Sequence, residues 1–138
     1  MIRVVCAIVQ REDGKVLLAQ RPAGKHLALK WEFPGGKVEP GEVADVALIR
    51  EIDEELGCTV EIQASLPSCV HDYEKSKIEL IPFICRVVVG EPRAIEHAAI
   101  AWVAPDALAD YDLAPADVPA LGYFMAYLSE KMPRLFQK

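Results

Sequence analysis

The chain has 138 residues, enough for one domain with a real core and too few for a second of similar size, so residues 1–138 are expected to form a single domain. Hydrophobic residues make up 52% of the sequence, yet they are mixed with charges, and no run approaches the roughly 20 apolar residues of a membrane helix. The formal net charge of −6 argues against broad binding to nucleic acid or anionic membrane, because both require a cationic field.

In chain order, Ile2 to Gln10 and Val16 to Gln20 are β-rich runs separated by Glu12-Asp13-Gly14-Lys15. The Asp-Gly pair is a strong hairpin signal, and the two runs are expected to pair antiparallel. The opening run offers no small-residue cleavage site after a longer apolar core, so it reads as a first strand. Pro22 to Lys30 is expected as a loop, followed by the short Trp31-Glu32-Phe33 and the punctuating Pro34-Gly35-Gly36. After a turn at Pro40-Gly41 comes a helix over roughly Val43 to Leu56, closed by Gly57 as a left-handed C-cap.

Thr59 to Ala64, Ser68 to Tyr73 and Lys77 to Val89 are strand-like, the last two joined by a hairpin at Glu74-Lys75-Ser76. Pro82 argues against a central place for the third of these, since it cannot donate to a ladder. Ile100 to Val103 is a further strand and Pro105 to Ala109 a helical turn. Val118, Leu121, Met125 and Leu128 repeat at helical spacing, with Asp117 as N-cap and Pro119 in the first turn. The expected architecture is α/β, a mixed sheet with a helix on either side. Cys6, Cys58, Cys69 and Cys85 lie far apart without a CxxC pair, which suits free thiols in a reduced, cytoplasmic setting.

Chemistry is concentrated on the first helix. Glu51, Glu54 and Glu55 stand at i, i+3 and i+4, which gathers them on one face, while Leu48, Ile49, Ile52 and Leu56 form the adjacent arc expected to enter the core. Like charges at this spacing repel, so a partner is needed, and hard divalent cations prefer carboxylate oxygen. A solvated acidic face is the plain alternative. The surroundings favour a site: Gly35-Gly36 permits close backbone approach, Glu42 opens the helix, and Arg50 can hydrogen-bond a neighbouring carboxylate and fix its direction.

Gly36, five residues, Glu42, seven residues, then Arg50-Glu51-Ile52-Asp53-Glu54-Glu55-Leu56-Gly57-Cys58 resembles the Nudix box, G-x5-E-x7-R-E-U-x-E-E-x-G-U with U aliphatic. The one departure is Cys58 at the last apolar position, expected to affect packing only. The resemblance extends to Leu17-Leu18-Ala19-Gln20-Arg21-Pro22, Trp31 to Pro40, Glu96-His97 before Trp102-Val103, and Leu113 to Pro119. It points to the MutT-like branch, which is similar to bacterial CTP and 8-oxo-dGTP pyrophosphohydrolases.

That resemblance implies a Nudix α/β/α sandwich with the box as a loop-helix-loop, and an enzyme that hydrolyses nucleoside triphosphates to monophosphate and pyrophosphate. It implies magnesium, with manganese as a substitute, held by the Gly35 carbonyl, Glu51, Glu54, Glu55 and the distal Glu96. Glu51, Glu54 and Arg50 would carry catalysis, with Glu51 one candidate for the general base. Arg21 and Lys37 would face the phosphates, Phe33 and Tyr73 would stack on a base unless they serve the core, and Asp117 would accept hydrogen bonds from the base edge. An acceptor there suits both a cytosine amino group and guanine-type donors, so CTP-like and 8-oxo-dGTP substrates both stay open. His26 and His97 are expected to be hydrogen-bonded or exposed bystanders, and His71 has a weak claim to the pocket. The expected partner is a small nucleotide, with no stable nucleic-acid or membrane partner, in a monomer or homodimer. Hydrolysis of dinucleoside polyphosphates, ADP-ribose or RNA 5′ ends is the enzymatic alternative, and a non-catalytic nucleotide-sensing module the other; such modules usually lose box carboxylates, and none is missing here.

Overall fold

The computed structural model describes the backbone of residues 1–136 and the side chains of residues 1–131. Eight strands and two α-helices follow in the order β1 (Ile2–Val9), β2 (Val16–Gln20), β3 (Trp31–Glu32), β4 (Gly35–Lys37), α1 (Ala44–Leu56), β5 (Thr59–Ser65), β6 (Cys69–Tyr73), β7 (Ser76–Val89), β8 (Ala99–Val103) and α2 (Asp117–Phe136), with a 3-10 turn at Pro105–Asp110. The expected α/β/α layering is present. Instead of one sheet there are two, a five-stranded mixed sheet ordered β4-β1-β7-β5 with β6 also on β7, and a three-stranded antiparallel sheet ordered β3-β2-β8.

Residues of β1 alternate between two cores. Cys6 and Ile8 join Leu18, Phe33, Ile84 and Phe124 on the α2 side. Val5, Ala7 and Val9 join Leu17, Leu48, Ile52, Leu56 and Cys85 on the α1 side. A strand buried on both faces reads as a near-continuous apolar run, which is what Val4 to Val9 is.

The expected β1–β2 hairpin forms only at its tip. Gly14 adopts φ 86°, its amide donates to the Arg11 carbonyl at 2.9 Å, and Gln10 and Val16 form a single antiparallel bridge. Beyond it the strands part: β1 runs parallel to β7 and antiparallel to β4, while β2 pairs with β3 and β8. Val16 to Ala19 are completely buried, so long-range partners that cover both faces outweigh the local pairing that the turn suggests.

Pro82 is also placed against expectation. It lies in the centre of the larger sheet, opposite Cys6. The other edge of β7 changes partner at this point, from β6, which ends at Cys69 opposite Leu80, to β5, whose last pair is Ser65 opposite Phe83. The Pro82 carbonyl accepts from Leu66 at 3.0 Å, so its missing N–H faces the gap between two strands and costs no ladder bond.

Helix α1 begins at the turn after Pro40-Gly41, and Asp45 in its first turn complements the helix dipole. Gly57 ends it in the left-handed region at φ 68°, donating to the Asp53 carbonyl at 2.9 Å. Ala47, Leu48, Ile52 and Leu56 form its buried stripe; Ile49, expected inside, is exposed. Among the described residues of α2, Asp117 and the apolar Ala120, Leu121 and Phe124 are buried, whereas Val118 and Met125 face outward. The helical spacing of Val118, Leu121, Met125 and Leu128 places the helix correctly, with Leu121 in the core and Leu128 packed against it. Among the described residues no helix is long and apolar enough to cross a membrane.

Candidate functional site

Seven consecutive residues, Trp31 to Lys37, touch every part of the site. Trp31 donates to the Asp112 carbonyl and accepts from the Ala114 amide, both at 2.8 Å, which straps the segment before α2 to β3. Glu32 Oε1 pairs with Arg21 Nη1 at 3.1 Å, and its Oε2 with His97 Nε2 at 2.9 Å. The Phe33 amide faces the Asp117 carboxyl, and the Gly35 amide faces that of Glu55. The Lys37 carbonyl accepts from Arg50 at 3.2 Å. The two glycines are steric requirements. A Cβ on Gly35 would overlap the Val5 carbonyl oxygen and stand 2.7 Å from Cys6 Cα, and one on Gly36 would overlap the Glu51 carboxyl.

Arg50 is the hub of the acidic helix. Its guanidinium takes Glu42 in a two-point grip at 2.8 and 2.9 Å, and its Nη1 reaches Glu51 at 2.9 Å and Glu54 at 3.3 Å. The planar fork suits this arrangement, which the point charge of a lysine could not reproduce. Hydrogen bonds from Arg50, then from the Glu39 amide, lower the Glu42 carboxyl to about 2. Glu51 is pushed up by burial, against the opposing pull of Arg50.

Glu55 differs from its neighbours. Burial, followed by the charges of Glu32, Glu51 and Glu96, raises its carboxyl to about 8, and its Oε1 is buried without a hydrogen-bond partner. An orphaned carboxylate oxygen facing three further carboxylates is the arrangement that a hard dication would relieve. Among the described residues no three acidic, histidine or cysteine groups converge into a closed metal cage. Magnesium does not need one, since it binds through one or two carboxylates and completes its shell with water and phosphate oxygens. The residues present therefore fit the ion.

A cavity of about 470 Å³ runs from this acidic end to the start of α2, and Arg21, Glu32, Gly36, Glu55, Tyr73 and Asp117 are in its wall. Asp117 is 5% exposed. Burial and then the Glu32 charge push its carboxyl well above the usual range, with the Phe33 amide opposing. Tyr73 Oη accepts from the Ala116 amide at 3.1 Å, and its ring packs edge-on with those of His26 and His71.

A model of the NUDIX domain matches residues 4–122. The chain belongs to the NUDIX domain family. Over 126 residues it is 45% identical to the CTP pyrophosphohydrolase of Escherichia coli K12, covering 91% of this chain and 93% of that one. It is 29% identical to the 8-oxo-dGTP diphosphatase of the same organism, over 87% of this chain and 93% of the relative. Among solved structures, the E. coli ORF135 protein superposes with a TM-score of 0.83 at 43% identity, over 95% of this chain and 93% of the other. A MutT NUDIX hydrolase from Burkholderia pseudomallei gives 0.80 at 31%, over 88% and 96%.

The NUDIX fold brings most of the residues singled out from the sequence to one place. Gly35, Lys37, Arg21, Phe33, Tyr73 and Asp117 line the cavity together with Glu55; Glu51, Glu54 and Glu96 stand outside its wall, and Glu96 acts on Glu51 and Glu55 through its charge. Arg21 is already engaged by Glu32 and by the His26 carbonyl, the latter at 2.8 Å. Phe33 is 2% exposed, so it offers the cavity little ring face. Asp117 starts α2, and its carboxyl takes the amide of Phe33, a partner far away in sequence rather than the expected local cap. Of the two alternatives for His97 the hydrogen-bonded one holds: its side chain is 5% exposed, bonded to Glu32, and its Nδ1 is buried without a partner. Glu32 was not singled out by sequence reasoning. Its signal was an acid inside the short apolar run Trp31-Glu32-Phe33, where burial demands partners.

Proposed function

We propose that this NUDIX protein is a metal-dependent nucleoside triphosphate pyrophosphohydrolase, in which water attacks the β-phosphorus and the products are a nucleoside monophosphate and pyrophosphate. The observation that carries the reading is the continuous cavity, with the box carboxylate Glu55 in its wall at one end and the buried Asp117 at the other. The names of the relatives, a CTP pyrophosphohydrolase and an 8-oxo-dGTP diphosphatase, support it. The box carboxylates are all present, which favours catalysis over a sensing module.

The Gly35 carbonyl, Glu51, Glu54, Glu55 and Glu96 are the groups from which magnesium, or manganese in its place, would draw its ligands, one or two carboxylates to an ion. When bound, the ion would neutralise phosphate charge and acidify a water. Arg50 fixes the directions of Glu51 and Glu54 through its bonds to both. Glu51, partly buried beside Gly36, is the carboxylate we assign to take the proton from the attacking water. Arg21 and Lys37 supply cationic contacts to the phosphates, Phe33 and Tyr73 wall the nucleoside end, and Asp117 accepts from the base edge. A cytosine amino group and guanine-type N1 and N2 donors both suit that acceptor. Hydrolysis in oxygen-18 water tests the point of attack. Label in pyrophosphate is expected; label in the monophosphate overturns β-attack.

A further inference from the structure

Tyr73 links two parts of the chain that are distant in sequence. It ends β6, opposite Ser76 across a two-residue turn, and its hydroxyl oxygen accepts from the Ala116 amide at 3.1 Å. Ala116 directly precedes the buried Asp117 and is itself buried. The short segment entering α2 therefore has two anchors of different origin. Trp31 holds it through Asp112 and Ala114, and Tyr73 holds the last residue before the carboxylate. An amide at a helix start has no partner within its helix, so removing the phenol oxygen would leave the Ala116 N–H unsatisfied beside the cavity. The ring is held in place by His26, with ring centroids 5.4 Å apart, and by His71 at 4.3 Å.

We infer that the Tyr73 hydroxyl is a positioning group for base selection: by fixing Ala116 it sets where the Asp117 carboxyl meets the base edge. This rests on the nucleotide reading above and assigns to the hydroxyl what a stacking role would assign to the ring. Asp117 can discriminate between bases only if its distance from the bound edge is fixed, and Tyr73 is the side chain that bonds the backbone next to it. The hydroxyl acts through Asp117 and needs no contact with the reacting phosphates.

The experiment compares Y73F, which keeps the ring, with the wild type, D117N and the double variant. Each is assayed for pyrophosphate release on nucleotide pairs that differ in the exocyclic amino group: dGTP against dITP, which loses that donor alone, and dCTP against dUTP, which exchanges it for a carbonyl and turns N3 from acceptor to donor. The wild type is expected to favour the amino-bearing member of at least one pair. Y73F should shrink that preference about fivefold or more, chiefly through KM, while kcat changes less than about twofold. In the D117N background the same substitution should add nothing. The Ala116 amide resonance should move in Y73F and its hydrogen exchange accelerate. Unchanged selectivity in Y73F overturns the inference, as does an unchanged Ala116 amide or a full Y73F effect in the D117N background. Absence of pyrophosphate release from every triphosphate in the wild type overturns the functional reading instead, and the Ala116 measurement still decides whether the hydroxyl anchors that segment.

Discussion

Replacing Gly36 by alanine should damage activity far more than stability. Gly36 has no left-handed φ, so alanine is compatible with its backbone, and the three atoms nearest the added methyl all belong to the end of the Glu51 side chain. A free glutamate would swing aside at small cost. Here Glu51 is held by Arg50 at 2.9 Å, and Arg50 is fixed by its two bonds to Glu42. Overpacking of this kind costs about 1–3 kcal/mol, and the low end applies because a side-chain terminus yields rather than backbone. Shifting a reacting group by about 1 Å can cost on the order of a hundredfold in rate. Gly35→Ala is the internal control. Its methyl would strike the Val5 carbonyl and crowd Cys6 Cα in the middle of β1, where no side chain can move, so a loss above about 3 kcal/mol is expected. The assay pairs magnesium-dependent pyrophosphate release from CTP and 8-oxo-dGTP with thermal melting. A G36A enzyme within threefold of wild-type kcat/KM, or one that melts below G35A, would refute the reasoning.

Three further outcomes are expected. Glu54→Gln should nearly abolish metal-dependent turnover with the melting temperature almost unchanged, because Glu54 is exposed at the rim of the cluster; wild-type turnover would discredit its place among the ligands. Asp117→Asn should change relative kcat/KM across dCTP, 5-methyl-dCTP, CTP, dGTP and 8-oxo-dGTP more than it changes kcat, and an unaltered order of preference would remove Asp117 from base recognition. Glu55 predicts the pH dependence of the metal-free protein. Its folded value near 8 lies above the unfolded value of 4.5, so the folded state binds the proton more tightly, and the contribution is complete below pH 4.5 and lost as pH rises through 8. The slope approaches about 1.4 kcal/mol per pH unit inside that window. Glu51 and Asp117 are also raised and act with the same sign, whereas Glu42, lowered to about 2, gives a contribution that is complete above pH 4.5 and lost only as pH falls toward 2. Chemical denaturation in EDTA between pH 5 and 8 should show the decline, magnesium should oppose it at the alkaline end, and Glu55→Gln should flatten it; an equal slope in that variant would exclude Glu55 as the source.

What the sequence disclosed follows the range of the interactions concerned. Helix α1, its Gly57 cap and the carboxylate face depend on spacings of three and four residues, and all were legible. The β6–β7 hairpin was too, since its turn is only Glu74-Lys75. The Asp13-Gly14 turn was equally visible, yet it could not reveal that β1 and β2 enter different sheets, because that choice is made by β4, β7, β3 and β8. Pro82 misled for the same reason: whether its missing donor matters depends on where β6 stops and β5 begins. At the site, residue types announced the carboxylate end. Glu32 and His97 stayed hidden because each is defined by a partner 65 residues away.

The span from Trp31 to Lys37 also bears on how such a protein could change its diet. It is a link of nearly fixed length, because β3 and β4 are pinned in separate sheets on either side of a bend at Pro34, with one end beside Asp117, the proposed base contact, and the other beside the carboxylates. Side chains that reach it from outside, on the segment before α2 or at the end of β6, can be exchanged without altering that length. The expected evolutionary course is therefore asymmetric. Residues facing the base can drift from one nucleobase to another, while insertion or deletion of a single residue between Phe33 and Gly36 would uncouple recognition from cleavage at once.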